Sequence, residues 1–140
     1  MKQLFFLAII LCLPGCATVQ REPNTADLAI LKQRLFEVHK KDAFASVMAV
    51  FQDLGYDIVH TDMATGFIRG KQSWTTGDGI WMPIIRHSKS VTAFIGELGE
   101  KRICVRLNLF VDKRNVLNED AYEEVFDRIS SEINFLKNGF

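Results

Sequence analysis

The chain has 140 residues, 17 Lys plus Arg against 17 Asp plus Glu, and 48% hydrophobic residues. That is enough for one domain with a real core, and 24% charged residues with eleven Phe is not the make-up of a disordered chain. Zero net charge removes the electrostatic case for nucleic acid, and three cysteines are too few for a disulfide scaffold.

Met1-Lys2 precedes the apolar run Leu4–Leu13 and then Pro14-Gly15-Cys16. One base, a short apolar stretch and a small residue before a cut predict a secretory signal peptide over residues 1–15. The run falls short of the roughly 20 residues a spanning helix needs. Leu13-Pro14-Gly15-Cys16 resembles the bacterial lipobox. The resemblance implies that Cys16 becomes the first mature residue and carries acyl chains such as palmitate. Each buried CH₂ contributes about 0.8 kcal/mol, so two or more chains anchor stably. Ala17, where Asp would signal retention, implies an outer-membrane anchor facing the periplasm. Cys104 would then be the one thiol left, with no internal disulfide. Such a thiol is expected to be a small buried hydrophobe, although Arg102 and Arg106 share its strand face.

Residues 16–33 read as the lipidated N-terminus and a polar tether, with at most a helical turn over Asp27–Lys32. Arg34–Val38 alternates as a first strand, with Phe36 and Val38 inward. Asp42 is placed to cap a helix over 43–54 whose inward stripe is Phe44, Val47, Met48, Phe51 and Leu54, ended by Gly55. Tyr56–His60 is a strand, Asp62–Gly66 a turn, and Phe67–Trp74 a strand with Phe67, Arg69 and Lys71 on one face. Ser90–Leu98 follows, with Val91, Ala93 and Ile95 sharing a face. Gly99-Glu100 suits a type II′ hairpin turn. Arg102–Asp112 alternates most clearly, with Ile103, Val105, Leu107, Leu109 and Val111 on one side. Asn118 caps a last helix carrying the stripe Tyr122, Val125, Phe126, Ile129, Ile133 and Leu136, closed at Asn138-Gly139.

The expected domain, residues 34–140, is therefore α+β in the order β-α-β-β-β-β-α. It has an antiparallel four- to five-stranded sheet with both helices on one face, a helix-grip-like arrangement. The opposite face would carry Arg69, Lys71, Thr92, Phe94, Arg102 and Arg106.

Two strings carry a further resemblance: Val50–Ile58 leading through Asp62 to Thr65-Gly66-Phe67-Ile68, and Ala121–Ile129. They resemble a family of small uncharacterised bacterial lipoproteins sharing a lipobox, an LGY or LGF turn after the first helix, and a Tyr/Phe-rich last helix. The element order is also similar to the helix-grip domains of the C-subunit lipoprotein of the outer-membrane β-barrel assembly machinery. Neither resemblance implies catalytic residues.

Thr75–Ser88 is long for a hairpin connection and holds Ile80-Trp81-Met82-Pro83-Ile84-Ile85. Trp81, Met82, Ile84 and Ile85 would contact a partner if exposed, or cap the open end of the core if folded back. Arg69, Lys71, Arg102 and Arg106 form a candidate anion contact, with a merely solvated face as the alternative. His60 and Asp62 offer two metal ligands without a third at recognisable spacing. No G-x-S-x-G nucleophile string and no G-x-x-x-x-G-K-[ST] phosphate loop occurs. The sequence thus predicts a lipid-anchored, non-enzymatic periplasmic adaptor of the outer membrane, an envelope-assembly accessory. It would bind an envelope protein and need no metal, cofactor or nucleic acid. The alternative is a small binding domain for an amphipathic or anionic envelope ligand.

Overall fold

A computed structural model describes residues 25–139. Cys16, the lipobox and the signal segment lie outside the described residues. The elements are α1 (Thr25–Leu31), β1 (Gln33–Phe36), α2 (Lys40–Asp53), β2 (Asp57–Asp62), β3 (Phe67–Thr76), β4 (Ile85–Gly99), β5 (Arg102–Val111), β6 (Arg114–Asn115) and α3 (Glu119–Asn138).

Short turns pair β2, β3, β4 and β5 in sequence as an antiparallel meander. β1 adds beside β5, giving the order β1-β5-β4-β3-β2, while β6 pairs with the far end of β5. Every pairing is antiparallel, so the edge strands β1 and β2 point the same way. The chain travels from one edge to the other through α2, which lies across the sheet. α2 and α3 pack against each other on one sheet face. Ile68, Val91, Ala93, Ile95, Ile103, Val105 and Leu107 close the core from below, and Val47, Phe51, Tyr122, Phe126 and Ile129 from above. The α+β class, the antiparallel sheet and the one-sided helices are as the alternation and helical stripes predict.

Several details differ from the sequence reading. α2 begins at Lys40, and its N-cap is His39, whose carbonyl accepts the N–H groups of Asp42 and Ala43 at 3.1 Å. Asp42 instead sits in the first turn, where its charge suits the helix dipole. Ala43, Ser46 and Val50 are buried alongside Phe44, Val47 and Phe51, whereas Met48 and Leu54 are half-buried, because α2 is covered by both the sheet and α3. At its C-terminus Gly55 N–H bonds the Gln52 carbonyl and Tyr56 N–H bonds that of Phe51, both at 2.9 Å. The Phe51 and Tyr56 rings meet 6.2 Å apart across this turn, completing a Schellman motif.

The segment expected to be tether contains α1, whose Leu31 packs on the core and whose neighbour Lys32 accepts Leu107 N–H through its carbonyl at 2.7 Å. The β4–β5 turn is Glu100-Lys101, not Gly99-Glu100. Gly99 pairs with Arg102 after an irregularity at Leu98, and no residue of this turn has positive φ, which excludes type II′. β6 exists because Asp112 and Lys113, at φ 48° and 68°, turn the chain back on β5. Leu136 is exposed: the last turn of α3 overruns the core.

Candidate functional site

The long β3–β4 hairpin is the chief departure from a plain two-layer domain. Pairing runs unbroken from Phe67↔Phe94 to Thr76↔Ile85, so the connecting loop is 77–84 rather than 75–88, and Ile85 belongs to the strand. β2 covers β3 only as far as Lys71, and β5 reaches β4 only to Lys89. Beyond those points the hairpin stands out from the sheet as a two-stranded arm.

The tip of the arm is ordered by its own backbone. Asp78 Oδ1 accepts the N–H groups of Ile80, Trp81 and Met82 at 3.0, 2.8 and 2.9 Å. Those three bonds, with Met82 the largest contributor, hold the Asp78 carboxyl below the usual carboxylate range. Gly77 has φ +96°, and a Cβ there would lie 2.2 Å from the Pro83 carbonyl oxygen. Only glycine permits that closure. Gly77-Asp78-Gly79 is therefore the lock of the tip. The lock spends its polar groups inward and turns the apolar side chains out. Trp81 is 89% exposed, Ile80 81%, and Met82 and Ile84 60% each. Ile85, at 52%, continues the patch onto the strand. The core-cap reading of this segment is thereby overturned: the arm carries these residues away from the core.

The arm is braced where sequence reasoning saw nothing. Trp74 and His87, opposite each other in register, stack with ring centroids 5.2 Å apart, and Lys89 Nζ lies 5.4 Å from the Trp74 centroid. His87 Nε2 is 3.0 Å from Thr76 Oγ1, and its Nδ1 is 3.2 Å from Asp112 Oδ2. Asp112 Oδ1 also accepts Ser88 N–H at 2.8 Å. The Ser88 N–H bond and the His87 bond lower the Asp112 pKa. The available signal was alternation continuing past Trp74 and before Ser90.

The four basic residues predicted to act together all lie on the open sheet face, but the structure divides them. Arg69 and Lys71 line a hollow of about 290 Å³ with Ser88, Ser90, Thr92, Phe110 and Lys113. Arg102 and Arg106 sit further along β5, toward the end that pairs with β1, and do not line it. The whole of β4 and several residues of register separate the pairs, which linear spacing does not reveal. Cys104, half-buried beside them, is a free thiol. Asp62 is engaged locally. The Thr65 hydroxyl, at 2.8 Å, and the Thr65 and Ala64 N–H groups bond its carboxylate and lower its pKa, while His60 rests on Phe67 at 5.7 Å.

At the end of the helix layer nearest the arm, a crevice of about 340 Å³ opens between Leu54, Tyr56, Leu109 and Val125, with Lys89 and Glu124 at its margin. Among the described residues no helix is long and apolar enough to cross a membrane.

These features define a class: a two-layer α+β domain with an extended, apolar-tipped β arm. No protein-family profile matches the chain, and no curated protein matches it. Among solved structures it is similar to a DUF4468 family protein from Bacteroides ovatus ATCC 8483, with 10% identity over 75% of this chain and 88% of that chain, and a TM-score of 0.42.

Proposed function

We propose that this chain is a lipid-anchored binding protein of the bacterial cell envelope. In this reading it is held at the outer membrane through Cys16, faces the periplasm, and acts without enzymatic activity as an adaptor or assembly accessory for another envelope protein. The observation that carries the reading is the arm tip. Four large apolar side chains are displayed outward by a backbone fixed in advance, so little ordering entropy opposes docking. An exposed Trp with Met and Ile around it is the composition of an interface anchor. Residues 77–85 contain no Lys or Arg, the residues that draw peripheral segments onto anionic bilayers, which favours a protein pocket over lipid. The lipobox supplies the anchor and raises local concentration near membrane partners. Membership of the lipoprotein family and likeness to the assembly-machinery subunit belong to this same proposal.

The test is a photo-crosslinking amino acid at Trp81, irradiated in living cells. The expected product is a discrete adduct with one envelope protein, lost when Asp78→Ala releases the tip. Adducts only with lipid, or only within the chain, refute the adaptor. The alternative, a binding domain for an amphipathic ligand, is favoured by the crevice beside Leu54 and Tyr56.

A further inference from the structure

The open face of β3 and β4 has a chemistry the arm tip does not use. From its outward positions β3 presents Arg69, Lys71, Ser73 and Thr75. Opposite them in register β4 presents Thr92, Ser90, Ser88 and Arg86. Every one of these eight positions is a cation or a hydroxyl. Lys113, from the β5–β6 turn, reaches the same face. Two hollows, of about 290 and 510 Å³, share Lys71 and Ser88 and so form one trough along the strip. Arg69, Lys71, Arg86 and Lys113 are exposed on its margins, while Ser88, Ser90 and Thr92 are half-buried on its floor.

These groups are free. None of the four cations makes a salt bridge among the described residues, where the ion pairs are Arg34–Asp127, Lys40–Glu97, His87–Asp112 and Arg128–Glu124. The carboxylate opposite Lys71, Asp57 on β2, is not paired with it. The hydroxyls of Ser73, Thr75, Ser88, Ser90 and Thr92 make no hydrogen bond within the described residues, unlike those of Ser46, Thr65, Thr76 and Ser131. In a chain of zero net charge, four unneutralised cations on one trough are a local concentration, not a reflection of composition.

We infer that this trough binds an extended anionic oligosaccharide. The cations stand at two stations: Arg69, Lys71 and Lys113 at one end, Arg86 at the other. Four residues of strand, about 13 Å, separate Lys71 from the level of Arg86. A single small anion cannot span that distance, whereas a chain with repeated acidic groups does. Between the stations lie hydroxyls alone, each both donor and acceptor, which match sugar hydroxyls and ring oxygens. Nucleic acid is the poorer fit, because single strands are held by free aromatic platforms, and of the aromatic rings lining the two hollows Trp74 and His87 are already stacked on each other with Lys89 at the Trp74 ring, which leaves Phe110 at one margin. The inference is independent of the arm tip, which shares no residue with the trough.

The full chain in detergent micelles is titrated, by fluorescence anisotropy at low salt, with labelled oligogalacturonate, a heparin-derived oligosaccharide, maltooctaose, oligo(dT) and hexaglutamate. Both anionic oligosaccharides should bind, more weakly as salt is raised. The combined variant Arg69→Gln/Lys71→Gln/Arg86→Gln should lose at least about tenfold in affinity. Ser73→Ala/Ser90→Ala should weaken the oligosaccharides while leaving hexaglutamate unchanged. Arg102→Gln/Arg106→Gln, with the same charge loss outside the trough, should stay within about twofold of the parent. Unchanged thermal melting of each variant confirms that the fold is retained. The inference is overturned if neither anionic oligosaccharide binds or if maltooctaose binds as well as they do. Tighter binding of oligo(dT) or hexaglutamate overturns it too, as does an equal loss from the Arg102/Arg106 variant.

Discussion

The Tyr122 hydroxyl accepts the backbone N–H of Leu109 at 3.2 Å, inside the core. Burial raises the Tyr122 pKa, so the phenol stays neutral. Leu109 lies on β5 between the stretch paired with β1 and the stretch paired with β6, where no strand supplies an acceptor. Lys32 serves Leu107 across the same gap, and the Leu109 carbonyl is satisfied by Val116 N–H at 2.8 Å. Tyr122→Phe keeps the ring but strands a buried N–H, and should cost about 1–3 kcal/mol in urea unfolding. An unchanged midpoint would show that water replaces the phenol. Asp78 makes the second residue-scale prediction. Its carboxylate is favoured in the ionised form, so its folded pKa is depressed. Tip order is therefore fully present above the ordinary value of about 3.9 and lost only as pH falls through the lower folded value. Amide resonances of Ile80, Trp81 and Met82 should hold from about pH 7 to about pH 4 and move together below it. A common midpoint above the ordinary carboxylate value would mean that Asp78 is not the lock.

At the scale of elements, the β2–β3 turn and the β4 strand fit each other through one glycine. Gly66 has φ +75°, its carbonyl accepts Ile95 N–H at 2.9 Å, and a Cβ would fall 2.2 Å from the Ile95 carbonyl oxygen. Gly66→Ala thus combines backbone strain with a clash against a central strand, and should destabilise by about 1–3 kcal/mol or more. A melting temperature equal to the parent's would show that the turn can move away from β4. The helices illustrate what periodicity resolves. The α3 stripe from Tyr122 to Ile133 is buried as its spacing predicts, and Asn118 caps the helix by accepting Asp120 N–H at 2.9 Å. Leu136 continues the same stripe yet is exposed, because periodicity finds a face but not where the covering layer stops. The β3–β4 hairpin shows the same limit. Alternation places Arg69 and Lys71 opposite Ile68 and Gly70 and carries the strand to Trp74, but beyond it the alternation is weak because both faces are largely polar, so Thr75–Ser88 reads as a connection.

For the whole molecule, the arm, the trough and the anchor point in separable directions, and each proposal can fail alone. Cys16→Ala should leave a precursor that keeps residues 1–15 and incorporates no labelled palmitate; normal processing of that variant would remove the anchor from the proposed function. While α1 and β6 were not legible in the sequence, the order of elements from β1 to β5 and on to α3, the inner face of each long strand and the core stripe of each long helix were. They follow from burying one apolar side per element, a rule that acts residue by residue. Three things required the tertiary structure: the sheet edge taken by β1, the separation of Arg69 and Lys71 from Arg102 and Arg106, and the outward display of Trp81. Each depends on which backbone N–H and C=O groups find partners across the chain: β5 for β1, the strand register for the cations, and the β3–β4 pairing out to Thr76 and Ile85 for the tip. Such long-range pairing leaves no period in the sequence to read.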